Sequence, residues 1–378
     1  MQKIIIIGSA FPLRGGGITT FNERLAHELQ EQGNDVTIYS FSLQYPSIFF
    51  PGKSQYADRP APNHLTIKSV INSINPLNWL KVGRLIAKEN PDLIIIRYWI
   101  PFMALCLGSI ARIIKKNSSA KIICIADNII PHEKRLGDQL LTKYFVKKID
   151  GFITMSKKVT SDLKHFISNQ PHQQVLHPLY DNFGEKIDKL SARSYLKLPS
   201  DSKIILFFGF IREYKGLDLL IDAMSNPLIQ NQSIQLLIAG EFYHEKDFYI
   251  NKIRKSGIEK NVIIIDDFIP DEWVKYYCCA ADLIVQPYKK ATQSGVTPLA
   301  YHFEIPMIVT NVGGLPEMVK DGESGLVCEP NSQSIAEHID EFFQKEDGYF
   351  LASLKREKLK FSWPTFVSQL FALENEIK

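Results

Sequence analysis

The sequence predicts an α/β protein built on two doubly wound parallel sheets, and three observations carry that reading. The first is length: 378 residues exceed one ordinary doubly wound sheet and suit two, at roughly 100 to 200 residues per domain. The second is the stretch from Ala281 to Pro330. It runs strand, polar loop with Ser294 and Gly295, short helix, strand, Gly313-Gly314, acidic turn and strand. The third is that the same strand-then-helix alternation recurs from Met1 onward. Such alternation requires right-handed crossovers between parallel strands, and ligands of these folds bind outside the carboxyl ends of the strands.

Gln2 to Gly8 is a continuous apolar strand, followed by the loop SAFPLRGGG and a helix from about Ile18 to Gln32 that Gly33 ends. Gly15, Gly16 and Gly17 leave backbone amides uncovered before that helix, where partial positive charge favours an anion. Their spacing is not the G-x-G-x-x-G of dinucleotide binders. Asp35 to Phe41 is the second strand. The aromatic loop YPSIFFPG, Tyr45 to Gly52, suits either an acceptor or packing over the core. Leu93 to Trp99, Lys121 to Ala126 and Gly151 to Met155 are further strands, with helices around Phe102 to Lys116 and Lys134 to Lys148. The segment DNIIPHE, Asp127 to Glu133, stands at the carboxyl end of a strand. Asp127 and His132 are therefore site candidates, against the simpler account of a capping Asp and a surface His.

A charged connection, Asp181 to Ser200, separates a first domain of residues 1–181 from a second of residues 182–362. Lys203 to Phe208 opens the second sheet, followed by GFIREYKG and a helix from Leu217 to Met224. Gln235 to Gly240, Val262 to Asp266, Asp282 to Gln286, Met307 to Thr310 and Gly325 to Cys328 continue the alternation. Trp363 to Lys378 is a helix with no strand after it, free to cross back to the first domain.

Hydrophobic content of 45% and charged content of 22% describe a soluble globular chain. With 44 basic and 41 acidic residues, a net charge of +3 gives no footprint for nucleic acid. The five cysteines lack metal-ligand spacing, and Cys106, Cys124 and Cys328 sit in apolar runs as buried thiols of a reducing compartment. Met1 to Gly8 reads as a strand rather than a secretory signal. Arg97 and Pro101 interrupt the apolar run Leu93 to Ile114, which reads as strand, loop and helix rather than a membrane span.

Arg212 and Lys215 follow a strand and precede a helix, so two cations project toward the ligand side, an arrangement that suits a diphosphate. Ser294, Gly295 and Val296 open another helix and offer a hydroxyl and amides to the same anion. Nucleophile-elbow, zinc-protease, kinase and Walker motifs are all missing. The chemistry supported is electrostatic stabilisation of a leaving phosphate.

These residues carry a resemblance. The glycine loop at Gly15 to Gly17, FFGFIREYKGLDLLIDAM from Phe207, LIAGE from Leu237 and PMIVTNVGGLPEMVKDGESGLV from Pro306 resemble family 4 retaining glycosyltransferases. That resemblance implies the GT-B fold, in which two Rossmann-like domains face a nucleotide-sugar cleft. It implies that Arg212 and Lys215 neutralise the donor diphosphate, Gly16 and Gly17 lie beneath it, and Ser294 to Val296 receive it. Phe268 and Ile269 are implied to hold the base, and Gly240 to line the donor site. The family usually carries two Glu residues spaced by seven. Here those places fall near Ala291 or Thr292 and near Leu299 or Ala300, and neither holds a carboxylate, so either Thr292, Gln293 and backbone amides hold the donor sugar and ribose or catalysis is impaired. Asp127 stands where many members have a histidine, with His132 the nearest imidazole.

The implied activity is transfer of a sugar from a nucleoside-diphosphate sugar to a glycan or lipid-linked acceptor, with no cofactor and no metal, because the protein's cations take the metal's place. The implied setting is cytoplasmic. A peripheral contact at the inner membrane face would fall on Lys115, Lys116 and the apolar face of the Phe102 helix, against the simpler account of a solvated surface helix. Two other readings are a non-catalytic nucleotide-sugar-binding partner of a glycosyltransferase complex and a sugar-nucleotide epimerase.

Overall fold

The computed structural model describes residues 1–14, 16–46, 55–57, 60–131, 135–243, 245–292 and 294–377. Gly15, His132, Gln293 and most of the Tyr45-to-Gly52 loop lie outside the described residues. The chain divides into two compact units, Met1–Leu176 with Trp363–Lys378, and His177–Ser362.

The first unit begins β1 (Lys3–Ile7), α1 (Gly17–Glu31), β2 (Asp35–Leu43), β3 (Thr66–Asn72), α2 (Pro76–Lys88) and β4 (Leu93–Tyr98). It continues α3 (Ala104–Asn117), β5 (Lys121–Ala126), α4 (Asp138–Val146), β6 (Gly151–Thr154), α5 (Lys157–Lys164) and β7 (His172–Gln174). The sheet order is β3-β2-β1-β4-β5-β6-β7, with parallel pairing throughout. Strands of such a sheet are covered on both faces and read as unbroken apolar runs. Ile4 to Ile7 and Leu93 to Ile96 are accordingly buried, each contributing about 1.5–3 kcal/mol relative to exposure.

Two elements here are not announced by hydrophobic pattern. β3 is an edge strand, TIKSVIN, whose residues are mostly half-buried. In α2, Leu77, Leu80 and Leu85 are exposed, which blurs the helical apolar stripe. The Asn75 side chain caps α2 by accepting the Leu77 and Asn78 N–H groups. The apolar run Leu93 to Ile114 divides into β4, a 3-10 turn and α3. Among the described residues no helix is long and apolar enough to cross a membrane.

The second unit contains α6 (Lys189–Tyr195), β8 (Lys203–Phe208), α7 (Leu217–Met224), α8 (Pro227–Gln230), β9 (Ile234–Ala239), α9 (Lys246–Lys255) and β10 (Val262–Ile265). After these come α10 (Asp271–Ala280), β11 (Leu283–Gln286), α11 (Val296–Phe303), β12 (Met307–Thr310), α12 (Leu315–Met318) and β13 (Gly325–Cys328). The unit closes with α13 (Ser332–Gln344) and α14 (Leu351–Lys358). Its sheet, β10-β9-β8-β11-β12-β13, is also parallel throughout. Strand order reverses between β8 and β11, which creates a topological switch point where the loops after these strands diverge.

The last helix, α15 (Trp363–Glu376), belongs to the first unit. Phe21 of α1 meets the Trp363 ring at 5.0 Å and the Phe366 ring at 5.4 Å, both edge to face. Lys121 Nζ donates to the Glu374 carbonyl at 3.0 Å. All five cysteines are buried and unpaired, and burial pushes the Cys328 thiol up to about 12.

Candidate functional site

The candidate site of the second unit grows from the two loops at the switch point. After β8 the chain passes through Gly209 and Phe210 to Ile211, whose N–H donates to the Glu241 carbonyl beyond β9. Gly240, at φ 150°, lets these loops meet: a β-carbon there would stand 2.1 Å from the Gly209 carbonyl oxygen, a clash no side chain avoids. Arg212 then begins a 3-10 turn, Glu213–Lys215, which Gly216 ends at φ 69° and ψ 28°. A β-carbon on Gly216 would come 1.9 Å from the Pro287 carbonyl oxygen. Gly216 thus presses the cationic turn onto the loop after β11.

That turn sorts its two cations differently. Arg212 is exposed, and its guanidinium lies 4.7 Å from the centre of the Tyr243 ring. Lys215 is 9% exposed, and its ammonium has no ion pair or hydrogen bond among the described residues. It stands 5.6 Å from the Tyr288 ring centre. Burial first, and then the Arg212 charge, lower Lys215 from its ordinary value to about 7. A buried cation lacking a counter-charge among the described residues is a candidate contact for an anionic ligand.

The second loop starts at Pro287 after β11. Tyr288 is buried, and its hydroxyl lies 3.2 Å from Ser294 Oγ. Ser294 Oγ accepts the Val296 N–H at 3.1 Å, so the first turn of α11 is held by the residue that precedes it. Thr297 Oγ1 donates to the buried Gln286 Oε1 at 3.2 Å. Thr292 and Ser294 are buried. The tie to the cationic turn is direct, because the Lys289 N–H donates to the Tyr214 carbonyl at 2.8 Å and Lys289 pairs with Asp218 at 2.7 Å. The structure therefore brings Arg212, Lys215, Thr292, Ser294, Gly295 and Val296 onto adjoining loops of one unit.

Beside the cations lies an aromatic group. Phe210 is 4.7 Å from Tyr243 and 6.1 Å from Phe268, centre to centre, and Ile269 next to Phe268 is buried. Phe210 and Tyr243 escape a reading by motif, although each sits at a strand's carboxyl end, two residues from Arg212 and three from Gly240 respectively. That position was the available signal.

The first-unit candidates fall into a different setting. Gly16 and Gly17 open α1, with Gly16 as its N-cap and no side chain capping it. Asp127, after β5, is not an open carboxylate. Arg97 Nε donates to its Oδ2 at 2.7 Å and Arg97 Nη2 to its Oδ1 at 2.5 Å, with Arg97 2% exposed. The guanidinium also lies 3.8 Å over the Phe21 ring. A bidentate pair of this kind holds both carboxylate oxygens, so the catalytic role expected of Asp127 meets a carboxylate already engaged.

Residues 188–360 match the model described as Glycosyl transferases group 1, and residues 15–178 that described as Glycosyltransferase Family 4. The D-inositol 3-phosphate glycosyltransferase of Corynebacterium aurimucosum is 26% identical over 204 residues, 51% of this chain and 48% of that protein. The lipopolysaccharide core biosynthesis mannosyltransferase LpsB of Rhizobium meliloti is 27% identical over 197 residues, 49% of this chain and 53% of that one. The chain thus spans about half the length of the curated relatives it matches. Among solved structures, sucrose-phosphate synthase from Thermosynechococcus elongatus has a TM-score of 0.76 at 18% identity, covering 99% of both chains. Anabaena HepE in complex with UDP-glucose has a TM-score of 0.74 at 15% identity, covering 99% of both; at these identities the likeness is one of fold. With its two parallel sheets and with both of its halves matched by family models, the chain belongs to the family 4, group 1 glycosyltransferases and has the GT-B fold.

Proposed function

We propose that this protein is a retaining glycosyltransferase that moves a sugar from a nucleoside-diphosphate sugar to a glycan or lipid-linked acceptor. The observation that carries the reading is the buried ammonium of Lys215, without a counter-charge among the described residues, beside Arg212 at the switch point and next to the loop that opens α11. Two cations and the first amides of α11 neutralise the diphosphate as it leaves. The Phe210, Tyr243 and Phe268 rings, with Ile269, offer a face to the base, and Gly240 keeps the loops beneath it close. Gly16 and Gly17 stay donor-loop candidates at the start of α1. The departing diphosphate then assists the acceptor through an oxocarbenium-like transition state, and the protein's own cations serve where a metal otherwise would. Asp127 acts by holding Arg97 in place. Support also comes from the relatives: one is named as a mannosyltransferase, and one fold neighbour was solved with UDP-glucose.

A screen of UDP- and GDP-sugars for hydrolysis or transfer tests the reading. Arg212→Ala and Lys215→Ala are each expected to lower turnover by about 100-fold or more, the cost of one lost transition-state donor. Unchanged rates in either variant would discard the phosphate assignment. Donor binding without turnover would instead identify a binding partner, the reading favoured by the missing carboxylates near Ala291 or Thr292 and near Leu299 or Ala300. Release of a free epimer without acceptor would identify an epimerase.

The proposed setting is the cytoplasmic membrane face, with the contact moved from its expected place. The apolar face of α3 is buried against the sheet, and Lys115 pairs with Asp150 at 2.9 Å. Exposed leucines cluster on α2, at Leu77, Leu80 and Leu85, and around the start of α4, at Leu136 and Leu140, whereas α3 exposes Leu105. Exposed Lys81, Arg84, Lys88, Lys143 and Lys147 stand among them, the composition of an interfacial surface. Co-sedimentation with anionic liposomes is expected at low salt and reduced at high salt. Leu77→Glu with Leu140→Glu should abolish it, and equal pelleting of this double variant would sink the contact.

A further inference from the structure

We propose that Tyr288 is a positioning residue of the diphosphate site, fixing the start of α11 and the place of the Lys215 ammonium through one buried side chain. The inference rests on the reading of that site as a donor site. Tyr288 is 3% exposed and is gripped from several sides. Its carbonyl accepts from Thr310 Oγ1 at the end of β12, at 2.6 Å. Its ring meets the Tyr214 ring edge to face at 6.2 Å, and the Lys215 ammonium lies 5.6 Å from its centre. Its hydroxyl reaches Ser294 Oγ at 3.2 Å.

The chemistry follows from counting the hydrogens on Ser294. A serine oxygen carries two lone pairs and one hydrogen. One lone pair takes the Val296 N–H, and with the tyrosine as donor the other takes the Tyr288 O–H. In that arrangement the serine's own hydrogen has no acceptor among the described residues and is free for a ligand oxygen. Burial pushes the Tyr288 phenol well above its usual range, which keeps it protonated and able to donate. One side chain thereby sets two features of the site: it makes Ser294 a donor, and it gives Lys215 an aromatic neighbour in place of a carboxylate. A carboxylate there would quench the cation; an aromatic ring leaves its charge to the ligand.

The test pairs a binding measurement with one that needs no ligand. UDP and GDP are titrated calorimetrically into wild type, Tyr288→Phe, Ser294→Ala and the double variant. Hydrogen exchange of the segment 294–299 is followed in each. Tyr288→Phe keeps the ring and removes only the hydroxyl, and it is expected to weaken binding about tenfold, the worth of one hydrogen bond to a charged ligand. Ser294→Ala should match it, and the double variant should lose no more than either alone, as coupled residues do. Exchange at the start of α11 should quicken in Tyr288→Phe. Additive losses, or unchanged affinity with a merely lower melting temperature, would show a tyrosine that only fills the core and would overturn the proposal. Wild type that binds neither nucleotide would overturn the donor reading. In that case, unchanged exchange in Tyr288→Phe would overturn the positioning role as well, and quickened exchange would uphold it.

Discussion

Lys215 is the residue whose chemistry departs furthest from its surface relatives. Its folded pKa of about 7 means that near neutrality only part of the population carries the charge. A bound diphosphate favours the ammonium and raises that pKa. The sign follows: affinity is fully present below about pH 7 in the free protein, where Lys215 is already charged, and falls as pH rises above it because binding must then take up a proton. A nucleotide sugar is the right probe, because its diphosphate diester has no titration near neutrality. Donor KM should be flat below about pH 7 and climb above it, and Lys215→Arg should flatten the climb because arginine stays charged. A KM that falls with rising pH would rule out Lys215 as the titrating group. Arg97 and Asp127 show the opposite case, a buried cation that has its counter-charge. The position of Asp127 after a strand was legible in the sequence. Its partner was not, because Arg97 lies on a neighbouring strand and reads as an interruption of an apolar run.

At the scale of elements, short turns do the positioning. The turn ending in Gly216 joins β8 to α7 and touches the loop after β11 at Pro287. Gly216→Ala must place a β-carbon into that carbonyl and adopt a left-handed backbone, which alone costs on the order of 1–2 kcal/mol. The variant is expected to melt earlier and also to lose donor turnover, since the turn that carries Arg212 and Lys215 has to move. Loss of stability with kcat/KM preserved would separate the turn from the site. Elements buried on both faces, such as β1, β4, β5 and β8, were readable because continuous isoleucine and leucine runs leave few alternatives. β3 and α2 were not, because an edge strand and a helix with exposed leucines break the expected periods.

For the whole molecule, α15 completes the unit in which the chain began. Trp363 is 1% exposed and lies against Phe21. Trp363→Ala should cost the first unit about 3–5 kcal/mol, lowering its calorimetric transition by on the order of 10 °C while the transition of the second unit stays. Movement of both transitions together would contradict independent units. By itself the sequence determined the strand and helix alternation, the two-sheet class and the place of Arg212, Lys215 and Ser294 at strand ends. These depend on local composition: burial on both faces demands apolar runs, and loops that follow strands must hold the polar residues. Tertiary structure alone decided which loops meet. β8 and β11 are neighbours in the sheet although β9 and β10 intervene in the chain. Only that pairing sets Tyr288 beside Lys215 and brings the separated polar residues of the proposed donor site onto adjoining loops.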